Sequence, residues 1–528
     1  MSHAATLGGT GHDEGFHPRA SPWVIAVVVT LAPFMEILDS TIVNVSLPHI
    51  AGSMSSSFND ATWTLTSYLV ANGVVLPVAG WLGRLFGRKR YFLICIAGFT
   101  LFSLLCGLAT NMTELVVFRL FQGLCGGGLQ PTQQSFILDT FPPSQRGRGF
   151  SVVAIAVIFA PVFGPILGGW ITDSYSWRWL FLINVPVGLF ALMAVGQLLE
   201  DPPWVLSDRA RLRDIDGIGV GLIALGLGSL QYVLDRGEDA DWFNSPQIRL
   251  FALLAAAGIA GAIAWLLLSE KPVVSLRSLG DRNFAAGVIV IFMIGLLLYS
   301  SNVVIPMLAQ QWYGYTALLA GYLLSPGAVL MVLLIPLTAK LAMPNVQTRF
   351  LIAIGFFAMG CASVYARRLT LESDFLTLAT VRAFQTMGLA FLFVPNSTIA
   401  YSTLPRSENA DSAALYSMFR NISGSIGIAL ATAITANRTQ VHRGYLAEHL
   451  NPLDPSYQAL LSHHTETLRG MGLTGDGAHS AAMGVINLSL AKQSAILGYL
   501  DLFAYSAIAA FCVIPLTLLF RPGIAGRR

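Results

Sequence analysis

Gly80-Trp81-Leu82-Gly83-Arg84-Leu85-Phe86-Gly87-Arg88-Lys89-Arg90 joins an apolar run at 61–83 to another at 91–110. Each run holds the roughly 20 apolar residues that a helix needs to cross the hydrocarbon core of a bilayer. The turn between them is short, and Arg84, Arg88, Lys89 and Arg90 make it basic. Two apolar helices pinched around a basic turn form a transmembrane hairpin. Its turn is expected on the cytoplasmic side, where Lys and Arg concentrate.

The rest of the chain repeats this theme. Further apolar runs lie near 23–47, 114–139, 149–172, 179–199, 216–234, 249–269, 284–308, 316–341, 349–366, 375–401, 411–436 and 500–520, which makes fourteen. Of the 528 residues 54% are hydrophobic and only 11% charged. A soluble domain carries about a quarter charged residues. The surface is therefore expected to face lipid, and the chain to be an all-α polytopic membrane protein. The net charge of +3 is small and the basic residues punctuate apolar runs, which argues against a nucleic-acid surface. Cys95, Cys106, Cys125, Cys361 and Cys512 all lie in apolar stretches without metal-ligand spacing, as small packing residues would. Residues 1–22 are polar and lack the basic start and cleavage region of a signal peptide, so they read as a cytoplasmic tail.

Orientation follows from the Lys and Arg residues. With both termini inside, cytoplasmic segments hold nineteen of the 31, outer segments nine, and three (Arg119, Arg382, Arg420) fall within spans. Four of the outer nine lie in the long 437–499 loop, where the rule acts weakly.

The two ends of the chain repeat one another. Span 1 ends in Asn44-Val45-Ser46-Leu47-Pro48 and span 9 in Asn302-Val303-Val304-Ile305-Pro306. Span 4 reads Arg119-Leu120-Phe121-Gln122 and runs on to Pro131; span 12 reads Arg382-Ala383-Phe384-Gln385 and runs on to Pro395. First matches first and fourth matches fourth if spans 7 and 8 are an insert. The expected layout is a tail (1–22), a six-helix bundle (23–200), a linker with two extra spans (201–270), and a second six-helix bundle (271–528) containing the 437–499 loop. Repeated bundles with a site between them are the architecture of transporters.

Three motifs name the kind. The Gly80–Arg90 stretch resembles the loop motif between spans 2 and 3 of the major facilitator superfamily, with Gly80, Gly83 and Gly87 allowing close helix ends. Arg84 stands where that motif has an acid, so Asp139 at the end of span 4 is a candidate partner for the basic cluster of Arg84, Arg88, Lys89 and Arg90; a plain positive-inside anchor explains the cluster equally. In span 5, Pro161 and Gly164-Pro165-Ile166-Leu167-Gly168-Gly169 resemble the antiporter motif of proton-coupled drug exporters, although a small-residue packing face would look similar. Leu38-Asp39-Ser40-Thr41-Ile42-Val43-Asn44-Val45-Ser46-Leu47-Pro48 and Trp177-Arg178-Trp179-Leu180-Phe181-Leu182-Ile183-Asn184-Val185-Pro186 resemble spans 1 and 6 of the fourteen-span drug:proton antiporters, the EmrB/QacA type. So do Gln493, Tyr499, Asp501 and Phe503 the start of the last span. Phe34-Met35-Glu36-Ile37-Leu38-Asp39 is most similar to EmrB-like exporters of Gram-negative inner membranes. That resemblance implies a periplasmic adaptor and an outer-membrane channel as partners. It also implies a proton gradient in place of any cofactor, and lipophilic drugs or toxic small molecules as cargo.

Ionisable groups within spans are costly and hence functional candidates. Away from their ends, the spans hold two acids, Glu36 and Asp39, and the three arginines. No histidine lies in a span, so proton carriage falls to the carboxylates. Glu36 and Asp39 are three apart and share one face of span 1. Like-charge repulsion and burial both disfavour their ionisation, which suits proton exchange. Arg119 and Asp39 lie at depths that allow them to meet; the expectation is that protonating Asp39 releases Arg119, against the alternative of a permanent structural pair. Projected through the repeat, Asp39 falls on Leu297 and Glu36 on Ile294, so the second bundle has no equivalent acid. Arg382 is then left to backbone carbonyls, to Glu36 across the cavity, or to substrate. Candidate cavity groups are Asn44, Asn72, Gln130, Gln134, Tyr299, Asn302, Arg382, Asn396, Tyr416, Arg420 and Asn421; any one of them also serves as an interhelical hydrogen bond. With few intramembrane acids, neutral or anionic lipophilic substrates are favoured over dications. The outer loop carries His442, His449, His463, His464 and His479 at spacings of no standard metal site, as expected of a solvated or adaptor-facing segment. A dedicated exporter of a metabolite or siderophore is the alternative within transport. A membrane enzyme is disfavoured because no nucleophile–base set or His-x-x-x-x-Asp string occurs. A receptor would need neither the repeat nor the acids of span 1.

Overall fold

A computed structural model describes residues 20–142, 145–201, 216–405, 408–448, 450–473 and 475–521. Most of the expected tail and the linker segment 202–215 lie outside the described residues. So do Arg19, Arg209, Arg211, Arg213, Arg406, Arg527 and Arg528, which entered the orientation reading.

The first bundle comprises α1 (Pro22–Ser53), α2 (Phe58–Phe86), α3 (Arg88–Leu108), α4 (Met112–Gly126), α5 (Leu129–Thr140), α6 (Arg146–Ser174), α7 (Trp179–Leu182) and α8 (Asn184–Leu198). Two further helices follow, α9 (Gly217–Arg236) and α10 (Pro246–Leu268). The second bundle comprises α11 (Arg282–Gln311), α12 (Ala317–Leu337), α13 (Thr348–Ala366), α14 (Phe375–Leu389), α15 (Phe393–Ala400), α16 (Asn409–Ala447), α17 (Pro455–Gly470) and α18 (Asp476–Val513).

Helices begin where a short polar side chain satisfies an orphan backbone donor at the membrane edge. Asn111 Oδ1 accepts from Glu114 N at 2.9 Å, Asp281 Oδ1 from Phe284 N at 2.9 Å, and Asp374 Oδ1 from Thr377 N at 3.0 Å. Gly87 takes φ +85° between α2 and α3, a left-handed backbone that lets one helix turn directly into the next.

Twelve segments among the described residues are long and apolar enough to span a membrane. The remaining two of the fourteen are the most polar inside. One is α4 with α5, interrupted at Gly127 and Gly128; the other is α16, which carries Asp411 and Arg420. Both line the interior, where lipid does not penalise their polar groups.

The repeat is visible as packing. In the first bundle α1 packs on α6, α2 on α4, α3 on α4, and α3 on α8. In the second, α11 packs on α16, α12 on α14, α13 on α14, and α13 on α18, the same pairing in the same order. The bundles meet through α2 against α16 and α6 against α12, which is the second span of one half against the fifth of the other, twice. A buried apolar core runs through both, with Phe92, Phe99 and Phe181 on one side and Phe284, Phe356 and Ile294 on the other. The inserted α9 and α10 cross at Gly226 and Gly258, and α9 leans on α2. A Cβ at Gly226 would lie 2.7 Å from Ile259 N, and one at Gly258 would lie 2.6 Å from Gly226 Cα.

The basic turn is where the halves are fastened. Arg88 pairs with Asp139, the partner suggested by the sequence, and Asp139 Oδ1 also accepts from Asn409 Nδ2 of the second bundle at 2.8 Å. Arg84 does not pair within its own motif. It crosses to Asp411 on α16. Gly80 makes room for that crossing, since a Cβ there would meet Asp411 Oδ1 at 2.6 Å and Ala410 O at 3.0 Å. Arg146 Nη1 donates to Tyr401 O at 3.1 Å, and Tyr401 OH to Gln134 Oε1 at 3.1 Å, closing the same side.

One expectation fails. The 437–499 stretch, expected as a long outer loop, is largely helical: α16 continues to Ala447, α17 spans Pro455–Gly470, and α18 starts at Asp476. Its polarity hid it from a reading based on apolar length. Nor is His442 simply solvated. Its Nε2 lies 2.8 Å from Asp501 Oδ2, to which Arg438 Nε donates at 2.6 Å.

Two outcomes test this packing. Gly226→Leu should force α9 from α10 at an overpacking cost of about 1–3 kcal/mol, read as a lower melting temperature of the detergent-solubilised protein. Arg84→Asp and Asp411→Arg should each impair transport, and the double variant should restore it in part; no restoration would show that the pair does not fasten the bundles.

Candidate functional site

Five helices of the first bundle enclose one ionic cluster. Asp39 on α1 and Arg119 on α4 are both fully buried. Arg119 Nη1 donates to Asp39 Oδ2 at 2.5 Å. The other carboxylate oxygen accepts from Asn184 Nδ2 of α8 at 2.6 Å and from Gln122 Nε2 at 3.3 Å. Arg119 also donates through Nε to Thr64 O of α2 at 3.1 Å and through Nη1 to Gln122 Oε1 at 2.9 Å. Asn184 is steadied by Ser103 Oγ of α3 at 3.0 Å. The guanidinium carbon lies 4.2 Å from the centroid of Tyr68, whose ring face favours a cation. A buried pair is tolerable only when its remaining hydrogen-bonding capacity is met, and here the acid is fully met. Arg119 Nη2 and the Tyr68 hydroxyl have no hydrogen-bond partner among the described residues.

Glu36 shares that face of α1 but not that cluster. It accepts from Asn72 Nδ2 at 2.8 Å and Gln130 Nε2 at 3.2 Å. Gln130 Oε1 in turn accepts from Arg420 Nη2 of the second bundle. One acid is thus sealed within its bundle, and the other is bridged across the interface. Arg420, not Arg382, is the arginine connected to Glu36. Arg382 is held inside its own bundle by Ser301 Oγ at 2.8 Å and by Asn302 Oδ1, so side-chain oxygens replace the backbone carbonyls considered from sequence.

The motif of span 5 packs against the acids' helix. A Cβ on Gly164 would lie 2.2 Å from Thr41 Oγ1, and one on Gly168 would lie 3.1 Å from Ile42 O. Pro161 and Pro165 stand inside α6, where each removes a backbone donor. The small residues and prolines therefore bring α6 onto α1 directly beside Asp39. Gly169 and Gly83 take no part in such close approach: nothing lies within 4 Å of a Cβ at Gly169, and at Gly83 the nearest atom is Arg88 Cγ at an ordinary 3.8 Å.

The candidate cavity groups do not line one cavity. Asn72 and Gln130 belong to Glu36, Gln134 to Tyr401, and Asn302 to Arg382. Asn396 Nδ2 donates to Tyr416 OH at 2.9 Å and to Gly287 O at 3.0 Å within the second bundle. Tyr299 packs against Gly424, Asn44 is exposed, and Asn421 is half-buried. Sequence reasoning passed over Gln122, Asn184, Tyr68, Asn409 and Asp411 as site residues. Gln122 and Asn184 stood inside quoted motifs. Asp411 is an acid in the first turn of a helix, and nothing local in the sequence ties it to Arg84.

The comparisons fit this geometry. Residues 29–428 match the Major Facilitator Superfamily. The multidrug export protein EmrB of Escherichia coli is 36% identical over 92% of this chain and 92% of its own length. The fatty acid resistance protein FarB of Neisseria gonorrhoeae is 32% identical over 95% of this chain and 96% of its own. Among solved structures, the human organic anion transporter MFSD10 covers 93% of this chain and 100% of its own with a TM-score of 0.58 at 12% identity, a likeness of fold. The chain belongs to the Major Facilitator Superfamily, and within it to the family of the EmrB multidrug export proteins.

Proposed function

We propose that this protein exports lipophilic drugs or other toxic small molecules across the bacterial inner membrane in exchange for protons. The observation that carries the reading is the fully buried Asp39 carboxylate, held by Arg119 beside the close approach of α6 to α1. A proton on Asp39 removes one charge of the pair. Arg119 then retains Gln122 Oε1 and Thr64 O but loses its anionic partner, which weakens the tie among α1, α2, α4 and α8. Glu36, Gln130 and Arg420 join the two bundles at the next turn, so they are the groups through which such a change biases the interface.

The proposed layout keeps the boundaries 1–22, 23–200, 201–270 and 271–528. The basic turn faces the cytoplasm, both termini lie inside, and the helical extension of α16, α17 and α18 faces the periplasm. That extension is where a membrane-fusion adaptor and an outer-membrane channel would be engaged. Deep within the spans, three buried arginines (Arg119, Arg382, Arg420) against two buried acids (Glu36, Asp39) favour neutral or anionic lipophilic cargo, in keeping with a relative named for fatty acid resistance.

The test is proton flux in proteoliposomes. Asp39→Asn should reduce substrate-driven proton movement at least tenfold while the protein remains folded and membrane-inserted. Undiminished flux in this variant would remove Asp39 from the mechanism.

A further inference from the structure

The second bundle contains the arginine of the first bundle's cluster without its acid. Arg382 is 2% exposed, its Nε has no hydrogen-bond partner among the described residues, and its partners are two neutral side-chain oxygens, Ser301 Oγ and Asn302 Oδ1. Among the described residues no carboxylate lies within ion-pair reach of it. A buried charge left uncompensated is strongly destabilising.

Beside it lies a small cavity between α11, α13, α14 and α18. One wall is Leu297, the residue that the repeat aligns with Asp39. Another is Gln385, the repeat partner of Gln122. Ser301, which binds Arg382, is a third. Ser300, Ser363 and Ser506 complete the polar lining, and their hydroxyls make no hydrogen bond among the described residues. Serines in apolar helices usually return their proton to a carbonyl one turn back; these three keep theirs for the cavity. The space open to the centre of a water-sized sphere is about 20 Å³. That accommodates one water or one monoatomic anion and excludes anything the size of a drug.

We propose that the second bundle binds one chloride ion in this cavity, as the diffusible counterpart of the Asp39 carboxylate. The hydroxyls of Ser300, Ser363 and Ser506 and Nε2 of Gln385 would donate to the ion, and Arg382, which lies behind Ser301 and does not line the cavity, would balance its charge across that serine. The same repeated scaffold would then be neutralised covalently in one half and by a solute in the other. Stability rather than transport is the readout, so the inference stands apart from the export reading.

The experiment is thermal unfolding of the full chain in lipid nanodiscs. Sodium chloride is exchanged for sodium gluconate at constant ionic strength, with bromide as a second probe. Chloride and bromide should raise the melting temperature saturably by a few degrees over gluconate. Arg382→Gln should abolish the shift, because the balancing cation is gone. Leu297→Asp should abolish it too, because it supplies the carboxylate in place. Equal melting temperatures of the unsubstituted protein in chloride and gluconate would overturn the proposal, as would a shift retained in Arg382→Gln. Should Leu297→Asp not fold, anomalous diffraction from bromide-soaked crystals decides: a peak between Ser300, Ser363 and Gln385 supports the site, and its absence there refutes it.

Discussion

An acid and an arginine that have left water together impose the organisation of the first bundle. Neither Asp39 nor Arg119 can be placed in an apolar interior alone, and together they still need further partners. The structure meets that need from five helices, through Thr64, Ser103, Gln122 and Asn184 as well as the pair itself. Those helices are consequently fixed in depth and rotation relative to one another. Gly164 and Gly168 then allow α6 to close on α1 just beyond the pair. The interior of this bundle is thus specified by polar satisfaction more than by apolar shape, since lipid tails offer side chains an environment as apolar as the core.

The fold was legible because the bilayer simplifies the reading. Apolar length marks the spans, and the basic turn at Arg84–Arg90 separates two of them without ambiguity. The repeat could be found from two short matches because Asn44 and Asn302, and Arg119 and Arg382, occupy matching depths. What escaped was helix outside the apolar stretches. α17 and the early turns of α18 carry no span-length apolar run, so composition that betrays helices within lipid says nothing of them in water. The two spans with the most polar residues were still recognisable, because Gln122 and Arg420 sit among enough apolar neighbours.

The site was half legible. A charge within a span attracts notice by its cost, so Asp39, Glu36 and all three arginines could be picked out. Their partners could not, because an uncharged amide costs less and resembles many others. Asn184 and Gln122 complete the acid's coordination, yet nothing in their local sequence distinguishes them from Asn44, which is exposed. Long-range pairings were also beyond reach where they crossed the bundles. Arg84 finds Asp411 at a separation of 327 residues, and only the packing of α2 on α16 makes them neighbours.

α16 is also a mechanical object. It is one unbroken helix of 39 residues, about 57 Å long at 1.5 Å per residue. Its first turn holds Asp411 against Arg84, Arg420 about a third of the way along meets Gln130, and towards its far end Arg438 and His442 meet Asp501. A rod pinned at three points converts small rotations into large excursions. A tilt of about 10° about its first turn moves the far end by about 10 Å. Fastening on one face of the membrane and the position of a helical tip well beyond the other are therefore two readings of a single angle.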